Sequence, residues 1–303
     1  MKQVEKCPVC ESKCIEFLYE GRTNRRPSDT SVWKVYLCRD CSHAFMNPQP
    51  AWQELATYYS EDYDPYETSH GSTARDDEQA VALAKGSGEL RHLPIPNGKR
   101  LLDVGCGAGW FLRIAKVLGA EVKGIEPSAV GAERARLCGL DVYQGTLEDY
   151  LRSEPKTDRF DVITANHVIE HAPDPVATLQ AMRILLAPGG IVWVAVPNPT
   201  CWSGRKLLNN WDSVDLPYHL QQFTAKSMVL AGSRAGLKLH RQYTYTLPAA
   251  VASSLRLYWR RSFFVPRKLT QKISFIDRYY APRFAAALDR VGDGEAIVTE
   301  FGN

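Results

Sequence analysis

The run Leu101-Leu102-Asp103-Val104-Gly105-Cys106-Gly107-Ala108-Gly109-Trp110-Phe111 constrains this chain more than any other. Apolar residues of strand character lead into a turn with glycine at every second position, and Phe111-Leu112-Arg113-Ile114-Ala115-Lys116 then reads as a helix. Without a Cβ, the backbone at Gly105, Gly107 and Gly109 can turn tightly and lie against a bound ligand. The first strand-to-helix turn of a doubly wound sheet is where such folds hold nucleotides. A dinucleotide fingerprint needs its third glycine one place later, where this chain has Trp110.

The following residues supply more strands. Glu121-Val122-Lys123-Gly124-Ile125 is a second one, ending in Glu126-Pro127-Ser128. An acidic residue about twenty positions after the glycine turn, at a strand end, accepts hydrogen bonds from ribose hydroxyls. NAD enzymes use the same device, so Glu126 marks an adenosine ligand without choosing the cofactor. Residues 141–147 read as a third strand and 160–165 as a fourth, opening into Asn166-His167-Val168-Ile169-Glu170-His171. Pro188-Gly189-Gly190 turns into a fifth at 191–196, and residues 239–246 and 295–301 form an antiparallel sixth and seventh. Several runs are apolar on both faces, as in a sheet covered by helices on each side.

The order D-x-G-x-G-x-G, acidic strand end, F-D-V-I and L-x-P-G-G resembles the class I S-adenosylmethionine (SAM) methyltransferases. The resemblance implies an α/β, Rossmann-like seven-stranded core that binds SAM. It implies a cofactor pocket formed by Asp103, Gly105, Cys106, Gly107, Gly109, Glu126, Pro127, Thr146, Leu147 and Asn166, with the end of the third strand beside the adenine. SAM carries no phosphate, so a close backbone suits it better than an anion nest.

Two knuckles, Cys7-Pro8-Val9-Cys10 and Cys38-Arg39-Asp40-Cys41, supply four thiolates, enough for a closed tetrahedral structural zinc site. A redox pair is the alternative. A hairpin of residues 17–19 with 32–36 fills the spacer. Cys14 and His43 read as a loop thiol and a surface imidazole, and Cys106, Cys138 and Cys201 as fillers of small buried spaces. A four-cysteine ribbon ahead of such a core resembles bacterial methyltransferases of sugar, polysaccharide and secondary-metabolite pathways. Some of these, the zinc-containing deoxysugar C-methyltransferases, continue into a large third domain. The sequence ends at Asn303, before such a domain, so the expected reaction is O-methylation of a sugar or other small-metabolite hydroxyl. C- or N-methylation, or a non-catalytic SAM-fold scaffold, are the alternatives.

The expected organisation is a zinc ribbon over 1–48, a helical segment over 49–97 covering the cofactor site, and a SAM domain over 98–303 with a helical insertion at about 250–292. Tyr59, with Tyr58, Tyr63 and Tyr66, either covers the methionine end of the cofactor or packs on the core. Residues 71–88 read as a hinge or an exposed helix. Leu216-Pro217-Tyr218-His219-Leu220-Gln221-Gln222-Phe223-Thr224 resembles a segment that follows the fifth strand in the same family.

Methyl transfer to a hydroxyl needs alignment, exclusion of water and a base. His219 is the first candidate for that base, with His167 and then His171; a histidine that only hydrogen-bonds is the alternative for each. His167-Val168-Ile169-Glu170-His171 also fits H-x-x-E-H, a zinc-protease motif that requires a helix. Quinone-pathway O-methyltransferases carry E-x-x-E-H there with a divalent ion; Glu170 and His171 match and His167 replaces the first glutamate. Leu257, Tyr258, Trp259, Arg260, Arg261, Phe263 and Phe264, with Arg267, Lys268 and Lys272, form a basic aromatic stretch over 255–272. It is either a lid packed on the core or a membrane-surface helix facing a lipid-linked glycan. A net charge of +3 over 303 residues is too small to argue for nucleic acid, and the N-terminus has no apolar leader core, which places the chain in the cytoplasm by default.

Overall fold

The computed structural model describes residues 1–23, 26, 29–51, 54–55, 58, 77–87, 90, 92–95, 98–153, 158–207, 211–263 and 275–303. Tyr59, Tyr63, Tyr66, Phe264, Arg267, Lys268 and Lys272 lie outside them. In chain order the N-terminal part has β1 (Ile15–Gly21), β2 (Trp33–Cys38) and β3 (Ala44–Met46), followed by α1 (Asp77–Ser87). The central part runs β4 (Arg100–Val104), α2 (Trp110–Val117), β5 (Glu121–Glu126), α3 (Ala129–Leu137), β6 (Val142–Gln144), α4 (Leu147–Ser153), β7 (Phe160–Asn166), α5 (Pro175–Leu185) and β8 (Leu186–Pro197). Then come α6 (Trp202–Leu207), β9 (Gln221–Gln222), α7 (Ala225–Arg234), β10 (Lys238–Tyr245), α8 (Pro248–Ser262), α9 (Ala281–Arg290) and β11 (Ala296–Gly302).

Seven strands form one sheet in the order β10-β11-β8-β7-β4-β5-β6. Pairs among β4 to β8 are parallel, whereas β11 runs antiparallel to both β8 and β10. This is the Rossmann-like α/β arrangement the motif order implies. Parallel strands need crossovers, and amphipathic α2, with Phe111, Leu112, Ile114 and Ala115 buried, supplies one. From β4 the chain first builds outward through β5 and β6, then returns to β7 on the other side. That reversal opens a crevice at the carboxyl ends of β4 and β7, where doubly wound sheets place ligands.

Four expectations change. The third strand spans only Val142–Gln144, because Gly145 has φ 152° and the Thr146 hydroxyl accepts from the Asp149 amide at 3.1 Å, starting α4 at Leu147. Residues 77–87 form a helix that is not simply exposed: Val81 and Ala84 pack against Ile114, with Trp110 beside them. His43 is fully buried rather than superficial, while Cys138, the last residue to be capped off α3, is exposed rather than space-filling.

The hairpin of β1 and β2 forms as expected, with Phe17 opposite Tyr36. Its sheet runs β1-β2-β3-β9, so the fourth strand comes from the far side of the core, with Phe45 opposite Gln221 and Ala44 opposite Gln222. Two non-glycine residues with left-handed backbone, Glu11 (φ 61°) and Ser42 (φ 61°), follow the two cysteine knuckles at equivalent places. No helix among the described residues is long and apolar enough to cross a membrane.

The glycine turn separates two physical demands. At Gly109 (φ 81°) a Cβ would lie 2.4 Å from Leu140 Cδ1 and 3.0 Å from Ala135 Cβ, whereas at Gly107 (φ 55°) it would meet nothing within 4 Å. Gly109→Ala is therefore expected to cost roughly 2–5 kcal/mol through overpacking and left-handed strain together. Gly107→Ala should cost only about 1–2 kcal/mol, from strain alone. Thermal unfolding of the two variants checks the order; equal losses would contradict it.

Candidate functional site

The donor side of the crevice is built by β4, β5 and the turn between β4 and α2. Gly105 N–H donates to the Ile125 carbonyl at 2.7 Å, holding the turn onto β5. Glu126, at the end of β5, is buried, and its two carboxylate oxygens accept from the Gly107 amide at 2.8 Å and the Ser128 amide at 2.8 Å. Ser128 in turn caps α3 by accepting from Gly131 N–H at 3.3 Å. The acid thus sets the loop conformation and stands at the strand end where a ribose would lie.

Asp103 is buried in β4 and accepts a 2.6 Å hydrogen bond from the Thr164 hydroxyl of β7. Burial raises its carboxyl to about 7; the Thr164 hydrogen bond acts the other way, and the Glu126 charge adds to the rise. Cys106 points away from the loop surface into the core with Leu101 and Leu112. Pro127 and Asn166 are exposed at strand ends, the Thr146 hydroxyl donates to Asp149 at 2.7 Å, and Leu147 is in the core. Tyr58 takes the packing alternative: its ring meets Trp33 and Tyr218 edge-on, and its hydroxyl donates to Asp29 at 2.6 Å.

The three candidate histidines converge on one buried acid. His167 follows β7 with left-handed backbone (φ 56°), and its N–H donates to the Ala195 carbonyl at 2.9 Å. A short 3-10 turn at Ile169–His171 follows, so H-x-x-E-H does not lie on an α-helix and the zinc-protease geometry is absent from it. The turn buries Glu170, whose Oε1 lies 3.2 Å from His167 Nδ1 and 3.9 Å from His219 Nε2, while Oε2 makes no hydrogen bond. Burial alone would raise the Glu170 carboxyl, but the His167 hydrogen bond and the three neighbouring imidazoles hold it below the usual range.

His171 and His219 are each oriented through Nδ1, by the carbonyls of Tyr218 and Ser213 respectively, both at 2.9 Å. Their rings meet edge-on at 4.8 Å. His219 is buried; desolvation, assisted by His171 and opposed by Glu170 and Asp215, lowers it to about 4, well below the neutral range a free-standing base would have. Its Nε2 faces Asp215 Oδ2 at 4.0 Å. Ligand atoms of Glu170, His171 and His219 all lie within 4.8 Å of one another.

Asp215 escaped the sequence reading, and Glu170 entered it only through the likeness to a divalent-ion motif. Glu170 stood in the H-x-x-E-H run, but its burial depends on the 3-10 turn; Asp215 carries no motif. The crevice joins its two halves through Gly105, where a Cβ would lie 2.6 Å from Val168 Cγ2, next to His167.

Behind this cluster lie the four knuckle cysteines. Cys7 and Cys41 sulfurs are 3.5 Å apart, Cys10 and Cys38 are 3.4 Å apart, and all four lie within 4.8 Å of one another. Four thiolates about 2.3 Å from one zinc ion would have comparable separations. Burial raises the Cys7 thiol to about 12 and Cys41 likewise upward, so these sulfurs shed their protons only beside a cation. The cluster reaches the crevice through His43, whose Nε2 is 2.9 Å from Gln221 Oε1, and through Gln221 Nε2, which donates to the Ala172 carbonyl at 3.0 Å.

A family model described as a methyltransferase domain matches residues 80–242. Ubiquinone biosynthesis O-methyltransferase of Actinobacillus pleuropneumoniae serotype 7 is 38% identical over 111 residues, covering 34% of this chain and 47% of that protein. The enzyme of the same name from Marinobacter nauticus is 36% identical over 107 residues, covering 33% and 45%. The chain thus spans about half the length of these curated relatives. Among solved structures, a SAM-dependent methyltransferase from Archaeoglobus fulgidus is 18% identical, covers 80% of this chain and 100% of its own, and superposes with a TM-score of 0.50. The 4+2 cyclase SpnF is 20% identical, with 84% and 97% covered and a TM-score of 0.51. At such identities the likeness is one of fold, and it spans two different activities.

Asp103 makes a testable contribution to stability. Its raised carboxyl binds a proton more tightly in the folded than in the unfolded chain, so its stabilising effect is complete below about pH 4 and is lost as pH rises through about 7. Asp103→Asn, which keeps an acceptor for Thr164, is expected to gain roughly 1–4 kcal/mol over the parent at pH 8 and almost nothing at pH 4. Calorimetric unfolding at both pH values measures it, and an equal gain at the two would refute the assignment.

Proposed function

The chain belongs to the methyltransferase domain family, and from that premise we propose that it transfers a methyl group from SAM to a hydroxyl oxygen of a small cytoplasmic metabolite, a sugar being the expected class. The observation that carries the reading is the meeting, at one crevice, of an acidic loop on one side and a histidine-ringed carboxylate on the other. Glu126 sets a buried carboxylate directly beside the glycine turn, accepting from the Gly107 amide. That charge suits the sulfonium and ammonium groups of SAM, while Trp110, at the place where a dinucleotide fingerprint needs its third glycine, argues against a pyrophosphate. SAM, when bound, supplies an electrophilic methyl group on a sulfur that departs as a neutral thioether.

The residues of this chain do the rest. Glu126 accepts the ribose hydroxyls with the lone pairs left by Gly107 and Ser128, and the open side of Gly107 lets the backbone approach the ligand. Ser213 holds the Nδ1 proton of His219, leaving the Nε2 lone pair directed toward Glu170 and Asp215. His219 Nε2 would take the hydroxyl proton of the acceptor as its oxygen receives the methyl group that SAM would supply, the SAM sulfur leaving as a thioether. Even with Glu170 and Asp215 facing it the buried ring has a low proton affinity, so it would take the proton only as the acceptor oxygen gains positive charge on bonding to carbon. A structural zinc ion on Cys7, Cys10, Cys38 and Cys41 would keep β3 in place and, through Gln221, the segment that delivers His219.

A second reading of the same cluster is favoured by the unpartnered Glu170 Oε2: a divalent ion on Glu170, His171 and His219 that lowers the acceptor's pKa. Two imidazoles and a carboxylate suit zinc better than magnesium.

Three measurements test these assignments. His219→Ala is expected to lower kcat/KM with a hydroxyl acceptor about 10²–10⁴-fold while SAM affinity by calorimetry stays within about threefold; near-parental turnover would sink the base assignment. The purified chain should carry about one zinc, lost together with tens of per cent of its melting enthalpy in Cys38→Ser. A second equivalent that disappears in Glu170→Gln would establish the metal-assisted reading, and one equivalent in both proteins would eliminate it.

A further inference from the structure

The helical insertion between β10 and β11 has two unlike faces. Val251 and Ala252 of α8 pack with Ile276, Ala281 and Ala285 around α9, and these account for its inward packing. The opposite face carries Phe263 and Phe275, each 63% exposed, with Tyr279 and Tyr280 at 44% and 46%. An open groove of about 540 Å³ runs between Phe275, Tyr279, Tyr280, Arg283 and Phe284. Arg278 and Arg283 stand 5.6 and 5.9 Å from the Tyr279 ring, and the Tyr280 and Phe284 rings stack at 5.7 Å. Phe284 also packs inward, against the buried cluster and edge-on to Trp202 at 4.9 Å, whereas Phe275 and Tyr279 stand 63% and 44% exposed.

Charge identifies what covers this face. The sequence from 256 to 290 holds nine basic residues and two acidic ones, net +7, in a chain whose net charge is +3, so the remainder carries −4. Exposed aromatic rings flanked by arginines match the boundary between headgroups and acyl chains of an anionic bilayer, where both the apolar and the cationic parts gain. A second copy is disfavoured, because a two-fold contact would set the same basic patch against itself.

We infer that the exposed face formed by Phe263, residues 275–280 and the first turn of α9 is a docking surface for anionic membrane lipid, holding the chain at a bilayer surface without crossing it. This goes beyond the proposed methyl transfer and stands or falls separately from it.

Co-sedimentation of the full chain with phosphatidylcholine vesicles, with and without about three-tenths phosphatidylglycerol, tests the inference. Binding is expected to be at least about tenfold stronger with the anionic lipid and to weaken as salt rises. Arg278→Glu with Arg283→Glu should remove that preference, and Phe275→Ser with Tyr279→Ser should weaken binding about tenfold, with circular dichroism and SAM affinity as in the parent. Absence of binding, or equal binding to both vesicles, overturns it. So does concentration-dependent dimerisation abolished by the same variants, or retention of an RNA homopolymer on a filter in place of vesicle binding.

Discussion

Two residues of β-ladder hold the acceptor half of the crevice together. Phe45 and Ala44 of β3 pair with Gln221 and Gln222, immediately after the turn that carries His219. The Gln221 side chain extends the link, touching buried His43 on one side and donating to the Ala172 carbonyl, next to His171, on the other. A two-residue ladder has little stability alone. It persists because Phe45 and Phe223 are wholly buried and the His43 ring sits 4.6 Å from Phe223. The cysteine hairpin therefore bears on the chemistry at a distance: what orders β3 orders the strand beside His219.

The donor half rests on a different device, a buried carboxylate that takes two backbone amides. Glu126 closes the gap between the glycine turn and the start of α3, so the turn is held in the left-handed conformations that only glycine tolerates at low cost. Asp103 lies nearby in β4, and burial is the main reason its carboxyl is raised, with the Glu126 charge adding to the rise. The two halves meet where Val168 fills the space that a side chain at residue 105 would need.

Local pattern made the donor half readable. Alternating glycines, an acid at a strand end and apolar runs all arise within single elements, and the sheet order follows from the handedness of parallel crossovers. The cysteine cluster was equally readable, because its ligands come in two short knuckles. The third strand read too long because Gly145 and the Thr146 cap act over only two residues, below what apolar patterning resolves. His43 looked superficial because its burial comes from Gln221 and Phe223, far away in sequence. Asp215 was hidden for a related reason, and Glu170 was visible only as part of a motif: each is defined by which imidazoles it faces, and the histidines come from two separate segments.

The burial that makes His219 a poor base in isolation also makes the cluster useful. An imidazole lowered to about 4 is neutral at physiological pH, so its lone pair is available without competition from bulk protons. What it lacks is proton affinity, and it lacks it even with the neighbouring carboxylates acting in its favour. Glu170 and Asp215 lie 3.9 and 4.0 Å from Nε2, too far to hydrogen-bond the neutral ring and close enough to attract an imidazolium. That attraction is already part of the balance that leaves the ring at about 4, so the proposed base would act on a proton made acidic by the reacting oxygen rather than on a resting hydroxyl. The same geometry, a lone pair and a carboxylate converging from buried elements, is what a metal ion would select. Both uses therefore depend on the short 3-10 turn that buries Glu170 and on the ladder that brings His219 to face it.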